Sequence, residues 1–178
     1  TLLHLIEDEL SVPHGTIKTT FLIETLPATY QIEEILFETR SRTVALNCGR
    51  WDKIFSDIKV FRNHSDKILA DRSTITMTRP WMDAYAKRLI KVCHKRGAMA
   101  MGGMSAFTPG KDQKTRASQL EKVKTDKSNE AKIGHDGCWV SHPYFIKMAR
   151  DQFKKANQLD FDATNYEEKP YLVCDSSG

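Results

Sequence analysis

Residues 20–52 read TFLIETLPATYQIEEILFETRSRTVALNCGRWD, and this stretch decides the fold. It contains two runs rich in apolar and β-branched residues, within 16–24 and 43–49, that are typical of strands buried on both faces. Between them, residues 29–41 place apolar side chains on one helical face. A strand, a helix and a second strand in this order predict two parallel strands joined by a helical crossover.

The same alternation continues on both sides of this stretch. Helical spacing is found at 1–12 and at 81–96, where Pro80 stands at the start of the helix. Further strands are predicted at 97–103 and 137–142. The lysine-rich segment 111–132 is predicted to be a solvated face or a flexible loop.

Four strands are about half of what a TIM barrel needs, since that fold has eight and typically ~250 residues. The predicted fold class is therefore α/β, a partial (β/α)8 barrel that belongs to a larger protein. Residues 1–150 are predicted to form the barrel part. Residues 151–178 are predicted to be a divergent polar tail, because no further alternation of strand and helix is found there.

Composition excludes several classes of protein. The net charge of +4 over 178 residues is too small to indicate a nucleic-acid partner, although it suits an anionic cofactor. No apolar run is long enough to span a bilayer, and no signal-peptide pattern opens the chain. The widely spaced cysteines favour reduced thiols in an intracellular protein over a disulfide framework or a zinc site (Cys48, Cys93, Cys138 and Cys174).

Two carboxylates stand at the predicted strand ends. Glu24 closes one strand and Asp52 follows the next, 28 positions later. Parallel neighbours lie ~4.8 Å apart, so both side chains are predicted at the carboxyl edge, where barrels of this kind carry their active sites. Two adjacent carboxylates repel unless they share a proton or a cation, and Mg²⁺ suits them. The alternative is that Asp52 caps the following helix or lies solvated in a loop.

A resemblance to a known family is carried by six motifs that cover most of residues 13–143. The chain resembles malate synthase of the A type in GTIK (15–18), LIETLPA (22–28), LNCGRWD (46–52), CHKRGA (93–98), AMGGM (100–104) and GHDG (134–137). The resemblance implies a TIM barrel with added domains and the condensation of acetyl-CoA with glyoxylate to malate and CoA. It also implies dependence on Mg²⁺ and a place in the glyoxylate cycle.

The resemblance also implies the residues of the site. Glu24 and Asp52 are implied as the ligands of Mg²⁺. Glyoxylate is implied to bind at Glu24 and at the turn formed by Gly49, Arg50, Trp51 and Asp52. The turn SAFTP (105–109) is implied as the wall for acetyl-CoA, with Pro109 and Phe107 as its contacts.

The resemblance leaves the acid–base residues outside this chain. The family's proton-abstracting Asp lies beyond GHDGCWVSHP and its enolate-stabilising Arg lies before PHGTIK, and neither motif occurs in the 178 residues. No catalytic residue is therefore predicted here, and Asp136 is not assigned that role. Lys53 stands where the family usually has an aromatic residue, and Ala45 where it usually has glycine.

Three functions stay open at this point. The chain is the central part of a malate synthase, active only within the full protein. Alternatively, it is a truncated or degenerate copy that keeps metal or ligand binding alone, or another CoA-thioester lyase or aldolase on the same barrel. The expected compartment is the peroxisome or glyoxysome, or the cytoplasm, and the expected partners are glyoxylate and acetyl-CoA, with a homo-oligomer in the full-length protein.

Overall fold

The computed structural model describes residues 2–154 and 162–166, in which helices and parallel strands alternate. In chain order the elements are α1 (Leu2–Glu9), β1 (Thr19–Ile23), α2 (Leu26–Tyr30), α3 (Ile32–Thr39), β2 (Thr43–Cys48), α4 (Trp51–Phe61), α5 (Pro80–Lys95), β3 (Met99–Gly102), α6 (Gln113–Lys132), β4 (Gly137–Cys138) and α7 (Ile146–Phe153). Short 3₁₀ turns occupy Ser65–Lys67, Arg72–Thr74 and Pro143–Phe145.

The four strands form one parallel sheet in the order β1-β2-β3-β4. Their carboxyl ends are in register, because Ile23 pairs with Cys48, Cys48 with Gly102, and Gly102 with Cys138. The residues that follow these ends therefore meet along one edge of the sheet. This arrangement confirms the predicted α/β fold with about half the strands of a barrel.

Strand β1 is less buried than its sequence predicts. Phe21 is 36% exposed and Leu22 is 41% exposed. The reason is the position of β1 at one end of the strand order, where it has a neighbour on one side only. The prediction that both faces of this strand are buried is therefore wrong for Phe21 and Leu22.

Two other boundaries differ from the sequence prediction. The single helix expected over 29–41 is a pair, because α2 and α3 are separated at Gln31. The Thr25 hydroxyl caps α2 by accepting a hydrogen bond from the backbone N–H of Ala28 at 3.4 Å. The strand expected over 137–142 is limited to the two residues of β4.

Helix α6 corrects the prediction for residues 111–132. Residues 113–132 form a 20-residue helix, most of whose residues are exposed, so the solvated face is confirmed and the flexible loop is wrong. The Asp112 carboxylate caps it by accepting a hydrogen bond from Thr115 N–H at 2.8 Å. Its buried side chains are Val123, Lys127 and Glu130, so charged residues make much of its inner face.

The core lies between α5 and the sheet. Fully buried α5 side chains, Tyr85, Leu89 and Ile90, pack with Leu46 and Ile23 in one cluster. The Tyr85 hydroxyl donates a hydrogen bond to the Ile23 carbonyl, which ties α5 to the end of β1. None of the helices in the described residues is both long and apolar enough to cross a membrane.

The predicted division at residue 150 stays a prediction. Helix α7 crosses it, ending at Phe153. Most of residues 151–178 lies outside the described part of the chain.

Candidate metal and substrate site

Glu24 and Gly49 follow the aligned ends of β1 and β2, and they lie in close contact. A Cβ atom added to Gly49 would lie 2.5 Å from Glu24 Cβ and 2.5 Å from Glu24 Oε2. The carboxylate of Glu24 therefore occupies the space that a side chain at position 49 would need. A glycine at this place lets the backbone of the turn approach the carboxylate.

Asp52 lies in the first turn of α4, next to this contact. The N-cap of the helix is Arg50, so the alternative that Asp52 caps α4 is wrong. Asp52 is exposed, whereas Glu24 is half-buried. Burial, and then the negative charge of Asp52, raise the pKa of Glu24 above its ordinary value. The two carboxylates are thus close enough to repel each other.

The donor set fits a hard divalent cation that keeps part of its water shell. Within residues 2–154 and 162–166, no three His, Cys, Asp or Glu side chains are grouped as a metal site of their own. A pair of carboxylates with open positions is the usual protein contribution to Mg²⁺, which holds on to several waters. Glu24 and Asp52 therefore match magnesium better than zinc, which takes four protein ligands in a structural site and three in a catalytic one.

A substitution at Gly49 tests this packing. Gly49→Ala is expected to displace the Glu24 carboxylate and to weaken Mg²⁺ binding by ~10-fold or more, as changes beside metal ligands do. Calorimetric titration with MgCl₂ measures the change. Gly137→Ala on β4 is the control for an added methyl group away from the site, because a Cβ at Gly137 meets only the flexible end of the Met101 side chain, at 3.2 Å, and Gly137 has no left-handed φ. Equal Mg²⁺ affinity in Gly49→Ala and wild type would contradict the proposed contact.

The side chains of Arg50 and Trp51, in the predicted glyoxylate turn, have different surroundings. The Arg50 guanidinium forms an ion pair with Asp126 of α6. The Trp51 ring stacks under the Arg72 guanidinium, whose carbon lies 4.5 Å from the ring centroid. Trp51 also lines an apolar cavity of about 270 Å³ whose lining includes neither Glu24 nor Asp52.

The predicted acetyl-CoA turn follows β3. The backbone carbonyl of Phe107 accepts a hydrogen bond from the Ser141 hydroxyl, which fastens the turn to the segment after β4. Phe107 lines a cavity of about 450 Å³ together with Lys114 and Lys122, and Lys122 Nζ lies 5.5 Å from its ring centroid. Pro109 is half-buried and is not among the lining residues.

A buried charged cluster beneath these turns was missed by the sequence analysis. Lys127 Nζ donates to the Gly103 carbonyl at 2.5 Å and to Glu130 Oε1 at 2.9 Å. Asp126 accepts hydrogen bonds from Arg50 and from the Ser105 hydroxyl. The sequence signal was weak, because an Asp-Lys pair in a lysine-rich helix is typical of an exposed face.

The cluster makes folding stability depend on pH. Burial raises the pKa of Glu130 from 4.5 to about 7, although the charge of Lys127 opposes the shift. Between these values Glu130 holds more protons in the folded chain than in the unfolded chain. The stabilisation that Glu130 contributes is therefore full below pH ~4.5 and decreases as the pH rises to ~7, by about 3 kcal/mol at most. Burial lowers the pKa of His135 from 6.5 to about 4, so the contribution of His135 increases with pH over nearly the same range and opposes that of Glu130.

The variant Glu130→Gln is expected to remove the contribution of Glu130 alone, so that the change in stability from pH 5 to pH 7.5 is more positive in the variant than in wild type. Urea-unfolding midpoints at pH 5 and pH 7.5 measure it. Glu121→Gln on the same helix, whose carboxylate is 69% exposed, is expected to keep the wild-type slope. A slope in Glu130→Gln as steep as in wild type would show that another group titrates.

Lys53 and Asp57 form a second buried ion pair, one turn apart on α4. Both side chains are fully buried, and Lys53 Nζ lies 2.5 Å from Asp57 Oδ2. The ammonium lies over two rings, 5.3 Å from the Trp81 centroid and 5.7 Å from the Tyr85 centroid. Lys53, whose ammonium faces these two rings, thus stands at the position where the family named in the sequence analysis usually has an aromatic residue.

Two further residues have structural roles. Asp136 accepts hydrogen bonds from Ala100 N–H at 2.6 Å and from His94 Nε2 at 3.0 Å, which fastens the start of β4 to β3 and α5. Cys48 is buried at the end of β2, and burial raises the pKa of its thiol to about 12. A thiol with that pKa is not a nucleophile at neutral pH.

The comparisons with known proteins point to one family. The family model "Malate synthase, TIM barrel domain" matches residues 1–171. Malate synthase A of Escherichia coli (strain K12) is 52% identical over 159 residues, which are 86% of this chain and 30% of that protein. The glyoxysomal malate synthase of Gossypium hirsutum is 47% identical over 148 residues, which are 83% of this chain and 26% of that protein.

A solved structure supports the fold independently of close sequence similarity. A citrate lyase from Burkholderia xenovorans LB400 superposes with a TM-score of 0.65 at 17% identity, over 86% of this chain and 43% of that one. This chain spans about 30% of the length of the E. coli relative. It belongs to the malate synthase family and carries part of the family's TIM-barrel domain.

Proposed function

We propose that this chain forms the magnesium- and glyoxylate-binding part of a malate synthase, which condenses acetyl-CoA with glyoxylate to give malate and CoA. The observation that carries the proposal is the pair Glu24 and Asp52. Glu24 lies against Gly49 at the carboxyl edge of the sheet, and Asp52, in the first turn of α4, is near enough for its charge to raise the pKa of Glu24, in a chain of this family.

The two carboxylates hold the metal in this proposal. Bound Mg²⁺ supplies a Lewis acid that polarises the glyoxylate carbonyl and fixes its orientation. The backbone from Gly49 to Asp52 enters the 11-residue helix α4, so its N–H groups face the edge where the carboxylate of glyoxylate binds. Gly49 lets this backbone approach the metal ligands closely.

The turn after β3 binds acetyl-CoA in this proposal. Phe107 and Pro109 form the wall for the thioester arm. Lys114 and Lys122 border the cavity beside Phe107, where their charges attract the phosphates of CoA. The base that removes a methyl proton and the cation that stabilises the enolate are assigned to parts of the full-length protein outside this chain.

The place of action follows from the relatives. Glyoxysomal and bacterial malate synthases are both similar to this chain, so we assign the protein to the peroxisome or glyoxysome, or to the cytoplasm. Assembly of the full-length protein into a homo-oligomer is part of the same proposal.

The direct test is an assay of the full-length protein with glyoxylate, acetyl-CoA and MgCl₂. Malate and free CoA are expected in equal amounts, and EDTA is expected to abolish both. Pyruvate and oxaloacetate in place of glyoxylate are expected to give little product, which separates a malate synthase from another CoA-thioester lyase. No malate from the Mg²⁺-loaded protein would overturn the proposal.

A second candidate is a copy that binds metal without turnover. The observation in its favour is the ion pair of Lys53 and Asp57, which places two charges in the core beside Asp52. Calorimetry combined with the malate assay separates the two functions, because this copy binds Mg²⁺ and glyoxylate but forms no malate.

A further inference from the structure

Asp126 touches both turns to which the proposed function assigns a substrate. Its Oδ1 atom accepts a hydrogen bond from the Arg50 guanidinium, which belongs to the glyoxylate turn after β2. Its Oδ2 atom accepts a hydrogen bond from the Ser105 hydroxyl, the first residue of the acetyl-CoA turn after β3. One carboxylate on α6 therefore joins two segments that are 55 positions apart in the sequence.

The three partners are held away from solvent. The side chain of Asp126 is 17% exposed, that of Arg50 is 10% exposed, and Ser105 is 1% exposed. The Nε atom of Arg50 is buried and has no hydrogen-bond partner among the described residues, so the contact with Asp126 sets the direction of the guanidinium. Hydrogen bonds to an ionised carboxylate in such surroundings are short and strong.

The surrounding charges keep Asp126 ionised. Burial alone would raise its pKa, but the charges of Arg50 and Lys127 and the hydrogen bond from Ser105 bring the pKa below its ordinary value. Lys127 Nζ lies 3.5 Å from Asp126 Oδ2 and also donates to the Gly103 carbonyl at the end of β3. Helix α6 thus contacts the residues after β2 through Asp126 and those after β3 through Lys127.

The close packing of Gly103 adds a second link between the same turns. A Cβ atom at Gly103 would collide with the Cys48 carbonyl and would lie 3.7 Å from Arg50 N. The two turns are consequently in backbone contact on one side and joined through Asp126 on the other.

We propose that Asp126 is a positioning residue that fixes the glyoxylate turn relative to the acetyl-CoA turn. This inference rests on the proposed function of the two turns. Formation of a carbon–carbon bond requires the two reacting carbons at near-contact distance, and a displacement of ~1 Å costs on the order of 100-fold in rate. The carboxylate acts through Arg50 and Ser105 and does not touch a substrate.

The test uses Asp126→Asn and Ser105→Ala in the full-length protein. The amide keeps the size of the side chain but loses the charge that aligns Arg50, and the alanine removes the Ser105 hydroxyl. Both variants are expected to lower kcat for condensation ~10- to 100-fold, with changes of less than about threefold in KM for either substrate. Glu121→Gln, an exposed carboxylate on the same helix, is the matched control and is expected to behave like wild type.

A second readout separates positioning from a merely structural role. Hydrolysis of added malyl-CoA needs no alignment of two substrates, so it is expected to stay within about threefold of wild type in both variants. A structural defect would lower hydrolysis and condensation together. Unchanged condensation in Asp126→Asn would overturn the inference while the wild-type enzyme still makes malate. Should Asp126→Asn fail to fold, Ser105→Ala, which removes one oxygen atom, decides the inference by the same two rates.

Discussion

Glu24→Gln and Asp52→Asn are each expected to weaken Mg²⁺ binding by ~100-fold or more, about 2.7 kcal/mol in binding free energy. Each variant replaces one of two charged ligands by a neutral amide of the same size. The pKa of Glu24, raised by burial and by Asp52, shows that the two charges already repel each other without a cation. Loss of either charge removes half of the attraction that the site offers to Mg²⁺.

Malate formation is expected to fall further than binding, by ~10³-fold in kcat/KM at fixed Mg²⁺, because the same residues orient glyoxylate. Calorimetry with MgCl₂ and an assay of malate measure the two effects separately. Asp66→Asn, an exposed carboxylate near the end of α4, is the charge-matched control. An Mg²⁺ affinity in Glu24→Gln equal to that of the control would remove Glu24 from the site.

Asp57→Ala is expected to destabilise the fold by ~3–5 kcal/mol. The variant leaves the Lys53 ammonium fully buried without its carboxylate partner. The faces of Trp81 and Tyr85 attract a cation but do not replace an ion pair. Burial lowers the pKa of Lys53, so part of the Lys53 side chains are expected to lose their proton when Asp57 is absent. This deprotonation limits the loss of folding free energy.

The double variant Lys53→Met/Asp57→Leu is expected to be as stable as wild type or more stable, because apolar side chains of similar volume need no desolvation of charge. Urea-unfolding midpoints of the full-length protein measure both variants. Asp83→Ala is the control, since Asp83 and Lys87 form an ion pair of the same spacing that is about one-third exposed. Its loss is expected to cost ~0–1 kcal/mol. Equal shifts for Asp57→Ala and Asp83→Ala would show that burial does not matter here.

The sheet and the carboxylate pair could be predicted because local patterns determine them. The apolar runs that became β1 and β2 and the helical spacing between them suffice for a parallel pair. Parallel strands put their carboxyl ends on one edge, so Glu24 and Asp52 come together whatever the rest of the chain does. The exposure of Phe21 could not be predicted from local patterns, because it depends on the position of β1 at the end of the strand order, with a neighbouring strand on one side only.

Helix α6 and its cluster could not be predicted from the same patterns. The helix has no apolar stripe, and its buried residues include Lys127 and Glu130, which are types that are almost always exposed. Lys127 donates a hydrogen bond to the Gly103 carbonyl, 24 positions away, and another to Glu130, and no periodicity in the sequence reveals these contacts. Arg50 was predicted as part of the glyoxylate turn, but the ion pair of its side chain was not, because its partner Asp126 lies on that helix.

The strand order β1-β2-β3-β4 repeats the order of the strands along the chain. During synthesis from the amino terminus, each new strand can therefore add to the edge just completed, without waiting for a later one. Glu24 and Asp52 have both been made once the first 52 residues of this chain have left the ribosome. Asp126 is made 74 residues later. Within this chain, the proposed metal ligands are thus synthesised before the residue that is proposed to link the two turns.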